Sequence, residues 1–255
     1  MGMESNPFIV SEAPASDRVA FFKRTYLHVA GAFAAFGALL YYFFQGFKFE
    51  VAGRSLDVGT GVAASVTRGL FSLMDSTGGF GILIVMLMFW GGTYVAQKLA
   101  ENRASRQSQY LGLGLYVVLE ALIFIPLIVM VGLKTHGNPS EVLVPACAVT
   151  AALVVGLTVA VFTMGIDFSF LRVAIVIGSV CALGIILVAA FTDSQLGNWF
   201  SIIMILLMAT VILYQTQVIK DSCETDQHVL AAFILFSAFV TLLFYVIRLF
   251  AGRRD

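Results

Sequence analysis

Seven long apolar runs, separated by shorter polar stretches, make up most of the chain. They lie near residues 26–44, 79–97, 110–133, 142–164, 173–192, 199–219 and 229–250. A helix of about 20 apolar residues spans the hydrocarbon core of a bilayer. The pattern therefore predicts an all-α integral membrane protein, a seven-helix bundle whose chain crosses the bilayer seven times.

The segment 45–78 differs from these runs because charged residues interrupt it at Lys48, Glu50, Arg54, Asp57, Arg68 and Asp75. We do not expect this segment to cross the membrane. One helical face of it is apolar and consists of Val62, Val66, Leu70, Leu73 and Met74. That face favours a helix lying at the membrane interface, and a packed loop is an equal alternative.

The composition agrees with a single membrane domain. Hydrophobic residues make up 60% of the 255 residues and charged residues 12%, about half of the roughly 25% that is usual in soluble domains. We divide the chain into a polar N-terminal leader (1–24), one membrane domain (25–250) and a polar tail (251–255). The first apolar run is longer than that of a cleavable signal peptide, so we expect the first helix to be retained.

The charges of the chain cancel, with 15 basic and 15 acidic residues, and no basic run indicates nucleic-acid binding. Basic loops favour the cytoplasmic side, which places Lys23 and Arg24 inside together with Lys98, Arg103 and Arg106. Seven alternating spans then put eight Lys and Arg inside and seven outside. The orientation is therefore only weakly determined.

Glu120 is the most informative polar residue, because it lies roughly 15 Å along the third run from Tyr110, near the bilayer centre. An acidic residue at that depth is costly and usually faces the bundle interior or a water-filled cavity. We expect Glu120 to have a role in an ion pathway. A neutral acid that hydrogen-bonds a neighbouring helix is the alternative.

The last run carries a polar stripe at spacings of four, four and three residues, formed by Ser237, Thr241, Tyr245 and Arg248. These spacings place the four side chains on one helical face, which we expect to look inward as part of the same pathway. Arg248 is near the end of the run, so it either extends to the interface or pairs with Glu120 or another acid.

Three further polar residues are candidates for the pathway. Gln215 and Gln217 lie near the end of the sixth run, where they either line a path or tie helices together. Asp167 lies in a short polar break before the fifth run, where it could also cap the helix that follows.

Small residues recur every four positions in two runs, at Ala30, Ala34 and Ala38 and at Ala148, Ala152, Gly156 and Ala160. Such stripes let helix backbones approach closely, so we expect them to pack inside a compact bundle.

No cofactor or enzymatic activity is expected. The histidines His28, His136 and His228 show no spacing typical of metal ligands, and we interpret them as interfacial or solvated. The three cysteines also lack metal-binding spacing. The sequence has no Gly-x-Ser-x-Gly or His-Glu-x-x-His motif.

Several segments together resemble the Bax inhibitor-1 family, also called the transmembrane Bax inhibitor motif family. The most specific is the stretch 116–127, Tyr-Val-Val-Leu-Glu-Ala-Leu-Ile-Phe-Ile-Pro-Leu. The others are Lys-Arg-Thr-Tyr-Leu at 23–27, Asp-Phe-Ser-Phe-Leu at 167–171, Tyr-Gln-Thr-Gln at 214–217 and the segment 244–249 that contains Arg248. The likeness covers most of the chain.

The resemblance implies a seven-helix bundle with a central C-terminal helix and a membrane ion leak, commonly of calcium and sensitive to pH. It also implies cytoprotective or protease-regulating roles. Calcium-conducting members carry an aspartate pair that shares a proton. In this chain Gln215 and Ala238 stand at those two positions, and Ile234 stands where a further acid is common. The usual paired-aspartate gate is therefore missing.

Two functions follow as hypotheses. The first is a calcium- or proton-linked ion leak through Glu120 and the neighbouring polar residues, with at most weak calcium binding because calcium prefers several carboxylate ligands. The alternative is a non-conducting regulator that binds a membrane protease or stress-response protein. The expected partners are the lipid bilayer, ions and, in the alternative, another membrane protein. We expect a multi-pass location, in the plasma or inner membrane if the source is bacterial.

Overall fold

A computed structural model describes residues 8–52, 55–77, 80–192 and 196–254. In these residues the chain forms eight α-helices, two short strands and one 3-10 helix. The elements are α1 Ala15–Phe43, β1 Phe47–Ala52, β2 Ser55–Gly59, α2 Val62–Thr77, α3 Phe80–Ala100, α4 Arg106–Lys134, α5 Ser140–Thr163, α6 Leu171–Thr192, α7 Asn198–Ser222, α8 His228–Ala251 and the 3-10 helix Gly252–Arg254. All helices except α2 are long and apolar enough to cross a membrane, which confirms the all-α membrane bundle.

Each predicted run corresponds to one long helix, but α1 begins earlier than expected. The polar leader was predicted to extend to residue 24, whereas α1 starts at Ala15. Phe21 and Thr25 on the first turns are buried, with exposed fractions of 1% and 0%. One face of this segment packs into the core. The helix therefore extends on the N-terminal side of the apolar run, into residues whose other face is polar.

The segment 45–78 contains more structure than a loop. Strands β1 and β2 form an antiparallel hairpin, which the sequence pattern did not predict. Helix α2 follows and packs against α3 and α4, with Ala63, Ala64 and Thr67 buried. Of the two alternatives left open for this segment, the structure contains the helix, and its position at the membrane interface stays a prediction.

Helix α8 forms the centre of the bundle. It packs against α7, α1, α5 and α4, and most of its side chains are buried. Aromatic side chains join it to its neighbours, as where Phe236 contacts Phe33 of α1 with ring centroids 4.9 Å apart. A helix that is buried over most of its surface is apolar over most of its surface, which explains the long apolar run of residues 229–250.

The seven long helices alternate in direction and define two faces of the bundle. The face that we call the N-terminal face carries the starts of α1, α4, α6 and α8 and the ends of α3, α5 and α7. A hydrogen bond between His28 of α1 and Tyr110 of α4 joins two of these helices near this face. At the opposite face, Asn198 at the start of α7 donates to the Gly252 carbonyl beyond α8. The start of α1 and the end of α8 therefore lie at opposite faces.

The two stripes of small residues do not pack inside the bundle, contrary to our expectation. Ala30, Ala34 and Ala38 of α1 are exposed, and so are Ala148, Ala152 and Gly156 of α5. The inward positions of α1 are instead Val29, Ala32 and Phe36. In a helix that faces lipid, both sides are apolar, so the sequence does not distinguish the packed side from the lipid-facing side.

Candidate functional site

Glu120 lies in the interior of the bundle, halfway along α4. It is the fifteenth of the 29 residues of this helix, about 21 Å from either helix end. Only 5% of the residue is exposed. A carboxyl group at this depth has no bulk water to hydrate it, so its neighbours determine whether it holds a proton or pairs with a cation.

Two hydroxyl groups accompany the Glu120 carboxyl group. The Tyr116 hydroxyl, one helical turn before Glu120, forms hydrogen bonds with Glu120 and with Ser237 of α8. The Ser237 hydroxyl donates to the Ile234 carbonyl at 2.8 Å, so its oxygen is left to accept from Tyr116. We call Tyr116, Glu120 and Ser237 the carboxyl cluster.

This cluster can satisfy Glu120 in both protonation states. An ionised Glu120 accepts a hydrogen bond from Tyr116. A protonated Glu120 donates to the Tyr116 oxygen, and Tyr116 then donates to Ser237. Rotation of one hydroxyl group thus accompanies the gain or loss of a proton, because a tyrosine hydroxyl both donates and accepts.

Aromatic side chains close the bundle on both sides of the carboxyl cluster. Towards the N-terminal face, the ring of Tyr116 contacts Phe233 at 4.7 Å between centroids. One turn beyond Glu120, Phe124 contacts Phe36 at 4.9 Å and Phe244 at 5.6 Å. Aromatic contacts therefore lie on both sides of the carboxyl cluster along the helix axis.

The predicted stripe on α8 divides between different neighbours. Ser237 belongs to the carboxyl cluster, while the Thr241 hydroxyl donates to the Ser237 carbonyl of its own helix at 2.7 Å. Tyr245 packs against Phe200 of α7, with ring centroids 6.1 Å apart. Of this stripe only Tyr245 is buried, whereas Ser237, Thr241 and Arg248 are half-buried on the least covered side of α8. The inward orientation of the stripe therefore stays a prediction, and its members do not meet at one point.

Arg248 does not pair with Glu120. Its guanidinium group donates to the Leu196 carbonyl at 2.7 Å and lies 5.6 Å from the centroid of the Phe200 ring. Arg248 is eleven residues beyond Ser237, which corresponds to about 16 Å along the helix. The expected alternative of a pair with Glu120 is therefore wrong among the described residues, and Arg248 lies near the opposite face.

Asp167 and Gln217 meet in a clamp between the α5–α6 loop and α7. The Gln217 amide nitrogen donates to Asp167 at 2.8 Å, and the Gln217 amide oxygen accepts from the Phe168 backbone N–H. Asp167 also accepts from the backbone N–H and the hydroxyl of Ser169. These donors, those of Ser169 first and Gln217 next, hold the pKa of Asp167 below its usual value.

Gln215 is placed differently from Gln217. Its amide oxygen is buried and has no hydrogen-bond partner among the described residues. A buried polar atom without a partner is costly unless water or an ion reaches it. Of the three remaining candidates, Gln217 and Asp167 tie a loop to a helix, and Gln215 alone offers an unoccupied acceptor inside the bundle.

No tight metal site is present in the described residues, where no group of three or more His, Cys, Asp and Glu side chains could hold a metal ion. Calcium binds to six or more oxygen ligands with several carboxylates. The carboxyl cluster offers one carboxyl group and two hydroxyls, so it suits a proton or a transient cation.

Sequence reasoning missed two features of the interior. Tyr116 precedes Glu120 by four residues and therefore shares its helical face, which could have indicated the pair. His28 and His228 lie with ring centroids 5.2 Å apart, and His228 is only 4% exposed. Of the two alternatives given for His228, interfacial or solvated, the solvated one is wrong, and no spacing rule could have joined residues 200 positions apart.

The fold and the site together define a class of protein. It is a multi-pass helical membrane protein in which a buried carboxyl group lies beside a central C-terminal helix. A family model described as "Inhibitor of apoptosis-promoting Bax1" matches residues 18–255. The chain therefore belongs to the Bax inhibitor-1 family. No individual curated protein matches it at a significant level of similarity.

Proposed function

We propose that this protein is a membrane ion leak of the Bax inhibitor type, linked to calcium or protons, in which Glu120 takes the place of the family's paired-aspartate gate. The observation that carries the proposal is the burial of Glu120 at mid-depth, beside the central helix and bonded to Tyr116. Intramembrane acidic residues in such positions are typical of ion and proton pathways.

The surroundings of Glu120 fit a gated leak. The aromatic contacts on both sides of the carboxyl cluster support a pathway in which movement of these rings controls access to Glu120. A cation or proton crossing the bundle needs only transient favourable contacts. The Glu120 carboxylate, the two hydroxyls of the cluster and the unpaired Gln215 oxygen are the groups that could provide them.

The test is a flux measurement with purified protein in liposomes. Calcium and proton fluxes are compared for wild type, Glu120→Gln and Glu101→Gln. Glu101 receives the same carboxyl-to-amide change at the end of α3, where it pairs with Lys98 at the surface. We expect Glu120→Gln to change the flux by about tenfold, which corresponds to roughly 1.4 kcal/mol in barrier height, and Glu101→Gln to leave it unchanged.

Absence of calcium and proton flux from folded wild-type protein would contradict the leak proposal. Equal flux from wild type and Glu120→Gln would retain a leak but remove Glu120 from it. A parallel thermal unfolding curve for each variant separates loss of fold from loss of conduction.

A second function, a non-conducting regulator that binds a membrane protease or stress-response protein, is favoured by the outward stripes of small residues. Ala34 of α1 and Ala152 of α5 are exposed, and small residues at lipid-facing positions permit close approach of a partner helix. Co-purification of a membrane partner by protein that shows no flux would support this function. Strong flux from the pure protein would count against it.

A further inference from the structure

The two histidines His28 and His228 meet at the N-terminal face, apart from the carboxyl cluster. His28 lies in α1, and His228 is the first residue of α8. Their ring centroids are 5.2 Å apart. Tyr110 of α4 contacts the other side of His28, with ring centroids 5.5 Å apart. The pair therefore lies where α1, α4 and the start of the central helix come together.

The hydrogen bonds of His28 are satisfied by a neutral ring. Its Nδ1 lies 2.6 Å from the Arg24 carbonyl oxygen, which can only accept, so Nδ1 carries the proton. Its Nε2 lies 3.0 Å from the Tyr110 hydroxyl and can accept from it. Both ring nitrogens are thus satisfied without a second proton.

His228 lacks this support. The residue is 4% exposed, and its Nδ1 has no hydrogen-bond partner among the described residues. A proton added to this nitrogen would create a buried charged N–H without an acceptor. Such a group costs far more free energy than the neutral ring.

The charged neighbours of His228 make a proton on it still less favourable. Arg24 of α1 and Arg106 of α4 both act on it with positive charge. The Asp226 backbone carbonyl is the opposing influence, but it makes no hydrogen bond to Nδ1. Two acids at the end of α7 and in the following loop pair with other residues: Glu224 with Arg103 at 2.9 Å, and Asp221 with Lys220 at 3.8 Å.

The loop before His228 holds the N-terminal segment of the chain. Residues 8–13, which we call the strap, run along this loop. Val10 donates its N–H to the Cys223 carbonyl at 2.8 Å, and Thr225 donates to the Phe8 carbonyl at 2.9 Å. The Val10 side chain is fully buried, and Cys223 is only 8% exposed. Movement of His228 would therefore displace the loop that holds the strap.

We propose that the His28–His228 pair is a proton-operated latch that keeps the N-terminal face closed at neutral pH and releases the strap on acidification. The closed state excludes water from His228, whereas an open state hydrates a charged ring. The closed state is therefore favoured above the ordinary histidine pKa of about 6.5 and is lost as the pH falls through it. The latch does not depend on ion conduction.

Cys223 provides a native reporter of this opening. Burial raises the pKa of its thiol to about 11, so it reacts slowly while the strap is in place. The experiment uses the full chain in nanodiscs with Cys147→Ala and Cys181→Ala, which leaves Cys223 as its only cysteine. The measured quantity is the rate of labelling by a membrane-impermeant maleimide. Dividing this rate by that of the same protein with His228→Leu at the same pH removes the effect of pH on the thiol itself.

We expect this ratio to rise several-fold between about pH 8 and about pH 5.5, because the hydrated ring of the open state binds a proton more readily than the buried ring of the closed state. His228→Gln, which keeps a polar side chain that does not titrate, should behave like His228→Leu and replaces it if that variant does not fold. His136→Asn is the matched control. It removes a histidine in the α4–α5 loop at a φ of 50°, which asparagine tolerates, and the pH response should remain.

A ratio that stays constant with pH overturns the latch. The same conclusion holds if His136→Asn abolishes the response, because the sensor would then lie at the opposite face.

Discussion

Two glutamines of α7 lie two residues apart but have different surroundings. Gln217 donates to Asp167 and accepts from the Phe168 N–H, whereas the Gln215 amide oxygen is buried without a partner among the described residues. A buried amide stabilises the fold only where its hydrogen bonds are made. The two positions therefore allow one chemical change to be compared in two environments.

We predict that Gln217→Leu destabilises the protein and that Gln215→Leu is neutral or stabilising. Removal of Gln217 leaves the Phe168 N–H without its acceptor, which costs about 1 kcal/mol. Replacement of Gln215 removes an unpaired oxygen from the interior. Thermal unfolding in the same detergent measures both variants, and an equal loss of stability in the two would contradict this interpretation of the clamp.

The clamp also predicts a pH dependence. The bonds from Ser169 and Gln217 lower the pKa of Asp167 in the folded protein, so its ionised form stabilises the fold above the unfolded value of about 3.9. This contribution is lost as the pH falls through the lower folded pKa. In Gln217→Leu the pKa of Asp167 should rise towards its usual value, and NMR titration of the Asp167 carboxyl carbon measures the change. An unchanged pKa would show that Ser169 alone supplies the shift.

For single residues, the sequence predicts the depth in the membrane better than it predicts the groups that a side chain contacts. Glu120 could be placed in the middle of the bundle because its position along one apolar run follows from helix geometry alone. The partner of Arg248 could not be predicted, since it is the backbone carbonyl of Leu196, which no residue pattern indicates. His228 is buried by the loop that holds the strap and by two other helices, so its burial could not be predicted from the local sequence either.

Helices were the most predictable elements, because each long apolar run has the length that a bilayer requires. The β1–β2 hairpin was not, since its short strands lie in a segment with charges on both sides of the turn. The side of each helix that packs against its neighbours could not be predicted from the sequence either. Close approach between α3 and α4 occurs at Gly112, where an added Cβ atom would lie 2.5 Å from the Ala96 carbonyl oxygen and from the Ala100 nitrogen.

We predict that Gly112→Ala destabilises the bundle, whereas Gly114→Ala does not. A Cβ atom at Gly112 meets the backbone of α3, which cannot move aside as a side chain can, and overpacking of this kind costs about 1–3 kcal/mol. Gly114, on the same helix, has open space around its Cβ position, and alanine there gains up to about 1 kcal/mol of helix propensity.

Thermal unfolding of both variants in one detergent is the measurement. Equal stability of the two variants would mean that α3 is not packed against α4 at this point. Destabilisation by Gly114→Ala alone would place the interface on the other side of α4.

The bundle as a whole is organised around α8. Its apolar surface is covered by α1, α4, α5 and α7, so this helix could be predicted as a span from its composition, whereas its central place was implied only by resemblance to the family. The same arrangement explains why Glu120 is buried, because α4 packs against this central helix.

The odd number of spans leads to a prediction for the whole molecule: the α3–α4 loop and the C-terminus lie on opposite sides of the membrane. Alkaline phosphatase folds only where disulfide bonds form, outside the bacterial cytoplasm. Fused after Asp255 it should be active, and inserted into the α3–α4 loop (101–105) it should be inactive. A reporter in the α4–α5 loop (135–139) is the control and should match the C-terminus.

The two parts of this result test two different properties of the chain, the number of its spans and its orientation in the membrane. Opposite activities at the C-terminus and the α3–α4 loop follow from seven spans whatever the orientation, so equal activities would contradict the fold. Which of the two is active depends on the distribution of basic residues, because Lys98, Arg103 and Arg106 favour the cytoplasm for the α3–α4 loop. Since the balance is only eight to seven, an inverted pattern would leave the bundle intact and show that another feature of the chain, such as the charged hairpin, sets its direction of insertion.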